Sequence, residues 1–258
     1  MKILFVGDIM GAAGREAFLE IAIPMKRERK IDALVVNGEN AAAGKGISPK
    51  FCKEFLDAGA DVITLGDHSY DQKELMPYLN EETRVIRPAN FAPGCPGRGW
   101  TTVQTGAGPL TVISLIGRVF MNPYDCPFRC ADSLLAKAPR NQPIFVDMHC
   151  EATSEKMAMG WHLAGRVTAV AGTHTHVQTS DDRILKGHTA YITDTGMTGA
   201  KDSVIGSEIP DVLKRFLTGL PVRFEPGKDN VSLDGFFVEC ESNGRATSCE
   251  RLRIPRHA

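Results

Sequence analysis

Eight side chains of this sequence, Asp8, Glu39, Asn40, Asp67, His68, His149, His174 and His176, are of types that hold metal ions, and each stands just after a short apolar run. Asp8 follows Ile3-Leu4-Phe5-Val6-Gly7, and Glu39 and Asn40 follow Leu34-Val35-Val36-Asn37-Gly38. Asp67 and His68 follow Val62-Ile63-Thr64-Leu65-Gly66, His149 follows the run 144–148, and His174 and His176 follow 167–172. Singly, each has an ordinary explanation: Asp8 could cap a helix, Glu39-Asn40 could be a solvated turn, and a lone His149 could be a hydrogen-bonded structural residue. Jointly they do not. Capping favours Ser and Thr as well and has no use for His, yet five strand ends carry three carboxylates, one amide and four of the seven histidines. One tetrahedral zinc needs three or four protein ligands, whereas this mixed imidazole and oxygen set suits two ions. A carboxylate bridging two cations ~3.5–4 Å apart suits in-line displacement at phosphorus, and Glu39 is the expected bridge. In Gly172-Thr173-His174-Thr175-His176, an extended backbone would put both imidazoles on one side and a helix would separate them by ~200°, so the extended form is expected.

Such residues can meet only if the elements carrying them converge. Runs at 2–6, 33–37 and 62–65 read as strands with helical segments between them, a βαβαβ pattern. Ser48 can cap the second helix, Pro49 suits its first position and Gly59 closes it. After a Pro- and Gly-rich stretch from 86 to 110, strands are expected at 100–104, 110–115, 144–148, 167–171, 190–193, 231–241 and 246–254, with helices near 154–163 and 209–216 and an irregular loop over 117–130. In open α/β sheets the carboxyl ends of the strands meet at one crevice, so all eight side chains could share it. No repeat or long linker divides the chain, and residues 1–258 read as a single α/β domain with two sheets.

Composition narrows the function. With 43% hydrophobic and 24% charged residues the chain has the make-up of a folded domain, and 30 basic against 31 acidic residues give no global field for duplex DNA or anionic lipid. The N-terminus turns polar after four apolar residues, too few for a signal-peptide core, and no membrane span is expected, so the reading is cytoplasmic. The seven cysteines are odd in number and dispersed, as in a reduced protein, and Cys126 and Cys130 have zinc-like spacing without a second pair. Cys150, next to His149, is expected to point to the other face in a packing role. His162, His188 and His257 have no clustered partners. Arg118, after an apolar run, could clamp a phosphate or form a surface salt bridge. Thr195 and Gly196, in Thr195-Gly196-Met197-Thr198-Gly199, could cradle an anion with backbone N–H groups.

These residues carry a resemblance. Gly7-Asp8 with Gly11 and Gly14-Arg15, then Asn37-Gly38-Glu39-Asn40, Gly66-Asp67-His68-Ser69-Tyr70-Asp71, His149-Cys150-Glu151-Ala152-Thr153-Ser154-Glu155-Lys156, Gly172-Thr173-His174-Thr175-His176-Val177 and Asp194-Thr195-Gly196-Met197-Thr198-Gly199 resemble the motifs of calcineurin-type metallophosphoesterases, and more closely those of the YmdB-like branch. They occur in the family's order and span nearly the whole chain. The resemblance implies a four-layer α/β/β/α sandwich with a di-metal centre that hydrolyses phosphodiesters, cyclic nucleotides in that branch. It places Asp8, Asn40 and His176 on one metal, Asp67, His149 and His174 on the other, Glu39 on both, and makes His68 the proton donor. The implied chemistry agrees with general principle: a bridging water made acidic by two cations is hydroxide near neutral pH, and an imidazole with a pKa of ~6.5 can protonate a leaving alkoxide. His68 could also serve only as a hydrogen-bond donor to phosphate.

Two positions depart from the pattern. The wider superfamily has His two residues after the first Asp, where this chain has Met10, a loss shared with the YmdB-like branch. The family Asn before the candidate catalytic His is here Asp67. A carboxylate in place of an amide tightens cation binding while lowering the centre's Lewis acidity and repelling an anionic substrate. The leading expectation is a metal-dependent phosphodiesterase acting on 2′,3′- or 3′,5′-cyclic monophosphates, with two divalent or trivalent ions; mixed ligands suit iron, manganese or zinc alike. A phosphomonoesterase would use the same metals. A regulatory or RNA-associated protein that senses metal or nucleotide, with incidental turnover and an RNA-processing partner, is the reading from another class. No heptad or edge-strand signature decides whether the chain forms a homo-oligomer.

Overall fold

The computed structural model describes residues 1–139 and 141–256; His257 lies outside them. Its first half contains β1 (Lys2–Val6), β2 (Asp8–Ile9), α1 (Gly11–Ala17), α2 (Ile23–Glu28), β3 (Ala33–Asn37), α3 (Pro49–Ala58), β4 (Val62–Thr64), α4 (Leu75–Glu81), β5 (Val85–Ile86), β6 (Trp100–Thr105) and β7 (Gly108–Ile116). The second contains α5 (Pro127–Leu135), β8 (Ile144–His149), α6 (Thr153–Leu163), β9 (Ala169–Thr173), β10 (Arg183–Leu185), β11 (Thr189–Ile192), β12 (Met197–Ala200), α7 (Ile209–Thr218), β13 (Val231–Cys240) and β14 (Ala246–Pro255). A five-residue π-helical segment, Phe18–Ala22, joins α1 to α2. It stands just before Pro24, which has no N–H to give to the helical ladder.

One sheet runs β2-β12-β13-β1-β3-β4-β5 with β14 on β13, and the other runs β10-β11-β9-β8-β7-β6. Strands β1, β3, β4 and β5 are parallel, as are β7, β8, β9 and β11. Both faces of each sheet are covered, which is why these strands read as continuous apolar runs. Along β1 the alternation is visible: Leu4 and Val6 pack toward Phe18 and Phe55 under the helices, while Ile3 and Phe5 face the other sheet. Phe5 meets Phe145 there with ring centroids 4.9 Å apart. Beyond the second sheet, Ile113, Val146 and Met148 pack against Met159 and Leu163 of α6 and Ala131 of α5. The layers are therefore α/β/β/α, as expected.

The start of α3 also agrees with expectation: Ser48 Oγ accepts from Phe51 N at 3.4 Å, and Gly59 ends the helix at φ 125°. Three expectations shift. The loop expected over 117–130 gives way to α5 from Pro127, a residue suited to a first helical position. The strand expected at 167–171 is β9 two residues later, starting just after Thr168, whose Oγ1 accepts from Ile144 N and whose N–H donates to Ile144 O. Met197–Gly199, part of the stretch 195–199 expected to offer an anion cradle, lies in the strand β12 (Met197–Ala200), recruited by pairing with β13 and β2. Among the described residues, all seven cysteines are free and no helix is long and apolar enough to cross a membrane.

Candidate metal centre

The parallel strands of both sheets bring their carboxyl ends to one place. From the first sheet, Asp8 follows β1, Glu39 and Asn40 follow β3, and Asp67 and His68 follow β4; from the second, His149 ends β8, and His174 and His176 follow β9. Asp8, Glu39 and His149 are fully buried or nearly so, and Asn40 is 5% exposed, so Glu39-Asn40 is no solvated turn. Nor is Asp8 a cap, since α1 begins after Met10 without a side-chain cap.

Four donors converge. His149 Nε2 lies 3.0 Å from Glu39 Oε1 and 2.9 Å from Asp67 Oδ1, and His174 Nδ1 lies 3.0 Å from His149 Nε2 and 3.4 Å from Asp67 Oδ1. Ligand atoms of Glu39, Asp67, His149 and His174 all fall within 4.8 Å of one another. Two imidazole nitrogens at hydrogen-bond distance, each beside a carboxylate, form a donor set that a cation would satisfy together. Gly66 permits the approach, because a Cβ there would collide with Glu39 Oε2 and His149 Nε2.

A second group adjoins the first. Asn40 Nδ2 is 3.4 Å from His176 Nε2, and Asp8 Oδ2 accepts from His174 N at 3.0 Å. Asp8 Oδ1 and Asn40 Oδ1 are buried without any protein partner. A buried carboxylate oxygen left unpaired is costly, and both orphans would be satisfied as oxygen ligands. The residues present therefore fit two cations.

The charges show the same demand for positive charge. Burial pushes the Asp8 carboxyl up, against the pull of His176 and His149. Burial also acts to raise Asp67 and Glu39, but His149 lowers both, with His174 aiding on Asp67, and the two carboxyls end below their ordinary range. Burial opposes the His149 imidazolium, yet Glu39 and Asp67 outweigh it and raise the ring well above its usual value. The fully buried Asp147 is pushed up to about 6 by burial.

Residues without an expected role hold these candidate ligands in place. Asp147 accepts from Thr173 Oγ1 at 2.7 Å, and Thr173 Oγ1 pairs with His149 Nδ1 at 2.9 Å, a relay that turns Nε2 toward the carboxylates. Thr64 and Asn37 also donate to Asp147, tying β3 and β4 of one sheet to β8 of the other. The signal was a carboxylate inside the buried run Ile144-Phe145-Val146-Asp147-Met148. His68 Nδ1 pairs with Asp71 Oδ2 at 2.9 Å, and its backbone N donates to Glu39 Oε2 at 3.2 Å. Glu151 Oε2 reaches His174 Nε2 at 3.2 Å.

The backbone at 174–176 corrects one expectation. It is not extended: His174 has φ 97° and His176 φ 64°, in the left-handed region, which aims the two imidazoles at different groups. Asp194 holds this strained stretch. Its Oδ2 takes Thr175 Oγ1 at 2.7 Å, Thr175 N at 3.2 Å and the buried Lys156 Nζ at 2.5 Å.

The lesser candidates fare differently. Thr195 and Gly196 are buried behind the site, and the Gly196 N–H is already given to Asp194 Oδ1 at 2.8 Å. A Cβ at Gly7 would strike the Gly196 carbonyl, so this turn packs against β1 rather than opening to an anion. Arg118 is exposed and does not line the cleft described below; its side chain approaches Cys126 Sγ at 3.7 Å, and its N–H donates to Glu155. Cys150 is buried with Sγ 3.3 Å from Glu155 Oε2, in a packing position. His162 pairs with Asp132 away from the centre.

The centre opens into a cleft of about 590 Å³ whose lining includes Glu39, Asn40, His68, His174 and His176. Residues 4–252 match the family model described as YmdB-like protein. The chain is 45% identical over 256 residues to a 2′,3′-cyclic-nucleotide 2′-phosphodiesterase of Bacillus subtilis, covering 98% of this chain and 97% of that one. Among solved structures, a hypothetical protein from Thermus thermophilus matches with a TM-score of 0.93 at 40% identity, covering 100% of both chains. A novel phosphatase of Mycoplasma pneumoniae matches with a TM-score of 0.93 at 32% identity, covering 99% of this chain and 93% of that one.

Proposed function

The chain belongs to the YmdB-like family, and from that premise we propose that it is a metal-dependent phosphodiesterase that hydrolyses small cyclic nucleotides. The observation that carries this reading is the meeting of Glu39, Asp67, His149 and His174 within 4.8 Å beside the unpartnered oxygens of Asp8 and Asn40. In this reading Asp8, Asn40 and His176 hold one ion, Asp67, His149 and His174 the other, and Glu39 both. Two bound cations would polarise the phosphoryl oxygens and acidify water for attack at phosphorus.

The chain's own residues supply the remainder. His68 stands on the cleft side, and Asp71 orients its ring through Nδ1, so Nε2 is the nitrogen available to protonate the leaving alkoxide. Glu39 couples the two functions, because its Oε1 faces His149 while its Oε2 fixes the backbone of His68. With a 2′,3′-cyclic phosphate, water adds to phosphorus, one ester P–O bond breaks, and the released ribose oxygen takes its proton from His68. The 2′-bond is the one cleaved if this chain acts as the Bacillus subtilis relative is named.

The direct test assays the metal-loaded protein on 2′,3′- and 3′,5′-cyclic AMP, bis(p-nitrophenyl) phosphate and p-nitrophenyl phosphate. Diester hydrolysis exceeding monoester hydrolysis is expected, with the 2′,3′-cyclic substrate preferred; activity on the monoester alone would refute the reading. Asp67 adds a second expectation. Asp67→Asn removes one negative charge from the ligand group, so it should keep both metals and raise turnover on the anionic diester. Loss of the second metal in that variant, seen by elemental analysis, would count against it.

A further inference from the structure

The cleft has a mixed lining. Besides Glu39, Asn40 and His68, the same 590 Å³ space is lined by Ile205, Phe216 and Phe224, with Lys45, Glu151 and Arg215 also in its lining. Its volume is that of a small-molecule site. Helix α7 turns one side into it: Val212, Arg215 and Phe216 all line the cleft, as residues at i, i+3 and i+4 share a helical face. Val212 is buried, but the Phe216 side chain stands 81% exposed at the cleft edge. Phe224 returns from the chain after α7 and lies with its ring centroid 5.7 Å from the Arg215 guanidinium.

Ile205 ties the apolar part of the lining to the metal-ligand group. A β-branched residue at φ 45° is held in a strained conformation. Its carbonyl oxygen pairs with His176 Nδ1 at 2.9 Å, so one turn both orients a ligand imidazole and presents an apolar side chain to the cleft. A cyclic nucleotide is similarly mixed, with an anionic phosphate at one end and a flat aromatic base at the other.

We propose that Ile205, Phe216 and Phe224 form the nucleobase subsite, with Phe216 stacking on the base while the phosphate lies at the ligand group. This rests on the phosphodiesterase reading above. Stacking needs only a π face, so the subsite accepts purines and pyrimidines with little selectivity. Base–aromatic stacking corresponds to about 5- to 150-fold in affinity.

The experiment compares the metal-loaded parent, Phe216→Ala and Phe216→Tyr on adenosine 2′,3′-cyclic phosphate and on methyl ribofuranoside 2,3-cyclic phosphate, which lacks a base, with the mass of each protein in solution measured by light scattering. Phe216→Ala should lose about 5- to 150-fold in kcat/KM on the nucleotide, chiefly through KM, and Phe216→Tyr should restore most of it. The base-free ester should be hydrolysed alike by all three. Unchanged kcat/KM of Phe216→Ala on the nucleotide would overturn the proposal. So would an equal loss on both esters with a change in mass, which would make this face, with Leu213 and Leu217, a contact between copies of the chain. If the parent hydrolyses neither ester, the phosphodiesterase reading fails separately. Equilibrium binding of adenosine 3′-monophosphate then decides the subsite: weaker binding by Phe216→Ala upholds it, and equal binding overturns it.

Discussion

His68→Ala is expected to lower kcat on 2′,3′-cyclic AMP by about 10²- to 10⁴-fold, the usual range for a lost general acid, while the metal content stays that of the parent. The ring pairs with the carboxylates Asp71 Oδ2 at 2.9 Å and Asp67 Oδ2 at 4.0 Å, whereas the convergent donors are those of Glu39, Asp67, His149 and His174. Its loss should therefore leave the ligand group intact. The leaving group provides the discriminating readout. A ribose alkoxide must be protonated as it departs, whereas p-nitrophenolate leaves as an anion, so bis(p-nitrophenyl) phosphate should suffer much less. Equal losses on both substrates would assign His68 to phosphate binding instead of proton transfer. Asp71→Asn, which keeps a hydrogen-bond acceptor but removes the charge beside Nδ1, should show a weaker form of the same leaving-group dependence.

Glu39→Ala should have a larger and different effect. The carboxylate is 1% exposed, touches His149 through Oε1 and anchors the His68 backbone through Oε2. Removing it takes the shared ligand from both proposed ions and leaves His149 beside Asp67 and His174. Metal content should fall well below that of the parent, and turnover should fall with it by at least about 10³-fold, more than the loss of one stabilising donor alone produces. Circular dichroism should remain that of a folded α/β protein, since the helices and sheets are held by three apolar layers of buried side chains. Retention of the parent's metal content in Glu39→Ala would remove the bridge from the scheme.

The proposed ligand set was legible because each member ends or follows a buried parallel strand, and a strand buried on both faces announces itself as an apolar run whose end marks the crevice. Distances along the chain did not matter: Glu39 and His149 are 110 residues apart in sequence and 3.0 Å apart in space. What the sequence hid was conformational or tertiary. His174 and His176 are left-handed with no glycine to signal it, because Asp194, Lys156 and Ile205 impose that backbone from elsewhere. β12, Met197-Thr198-Gly199-Ala200, is too short to show an apolar pattern of its own, and its pairing with β13 and β2 makes it a strand. Thr195 and Gly196 looked like an anion cradle by composition, yet their burial depends on the close approach of Gly7, which no local pattern encodes. The apolar part of the cleft lining was equally hidden, since Phe216 on α7 reads as one more apolar helix position until it is seen to line the same cleft as His68 and Glu39.

The most direct measurement is elemental analysis of the purified protein beside its cyclic-nucleotide turnover, before and after dialysis against a chelator. About two ions of iron, manganese or zinc per chain are expected, with activity falling as they are removed and returning as they are restored. Undiminished hydrolysis by a protein stripped of metal would contradict the account at its centre.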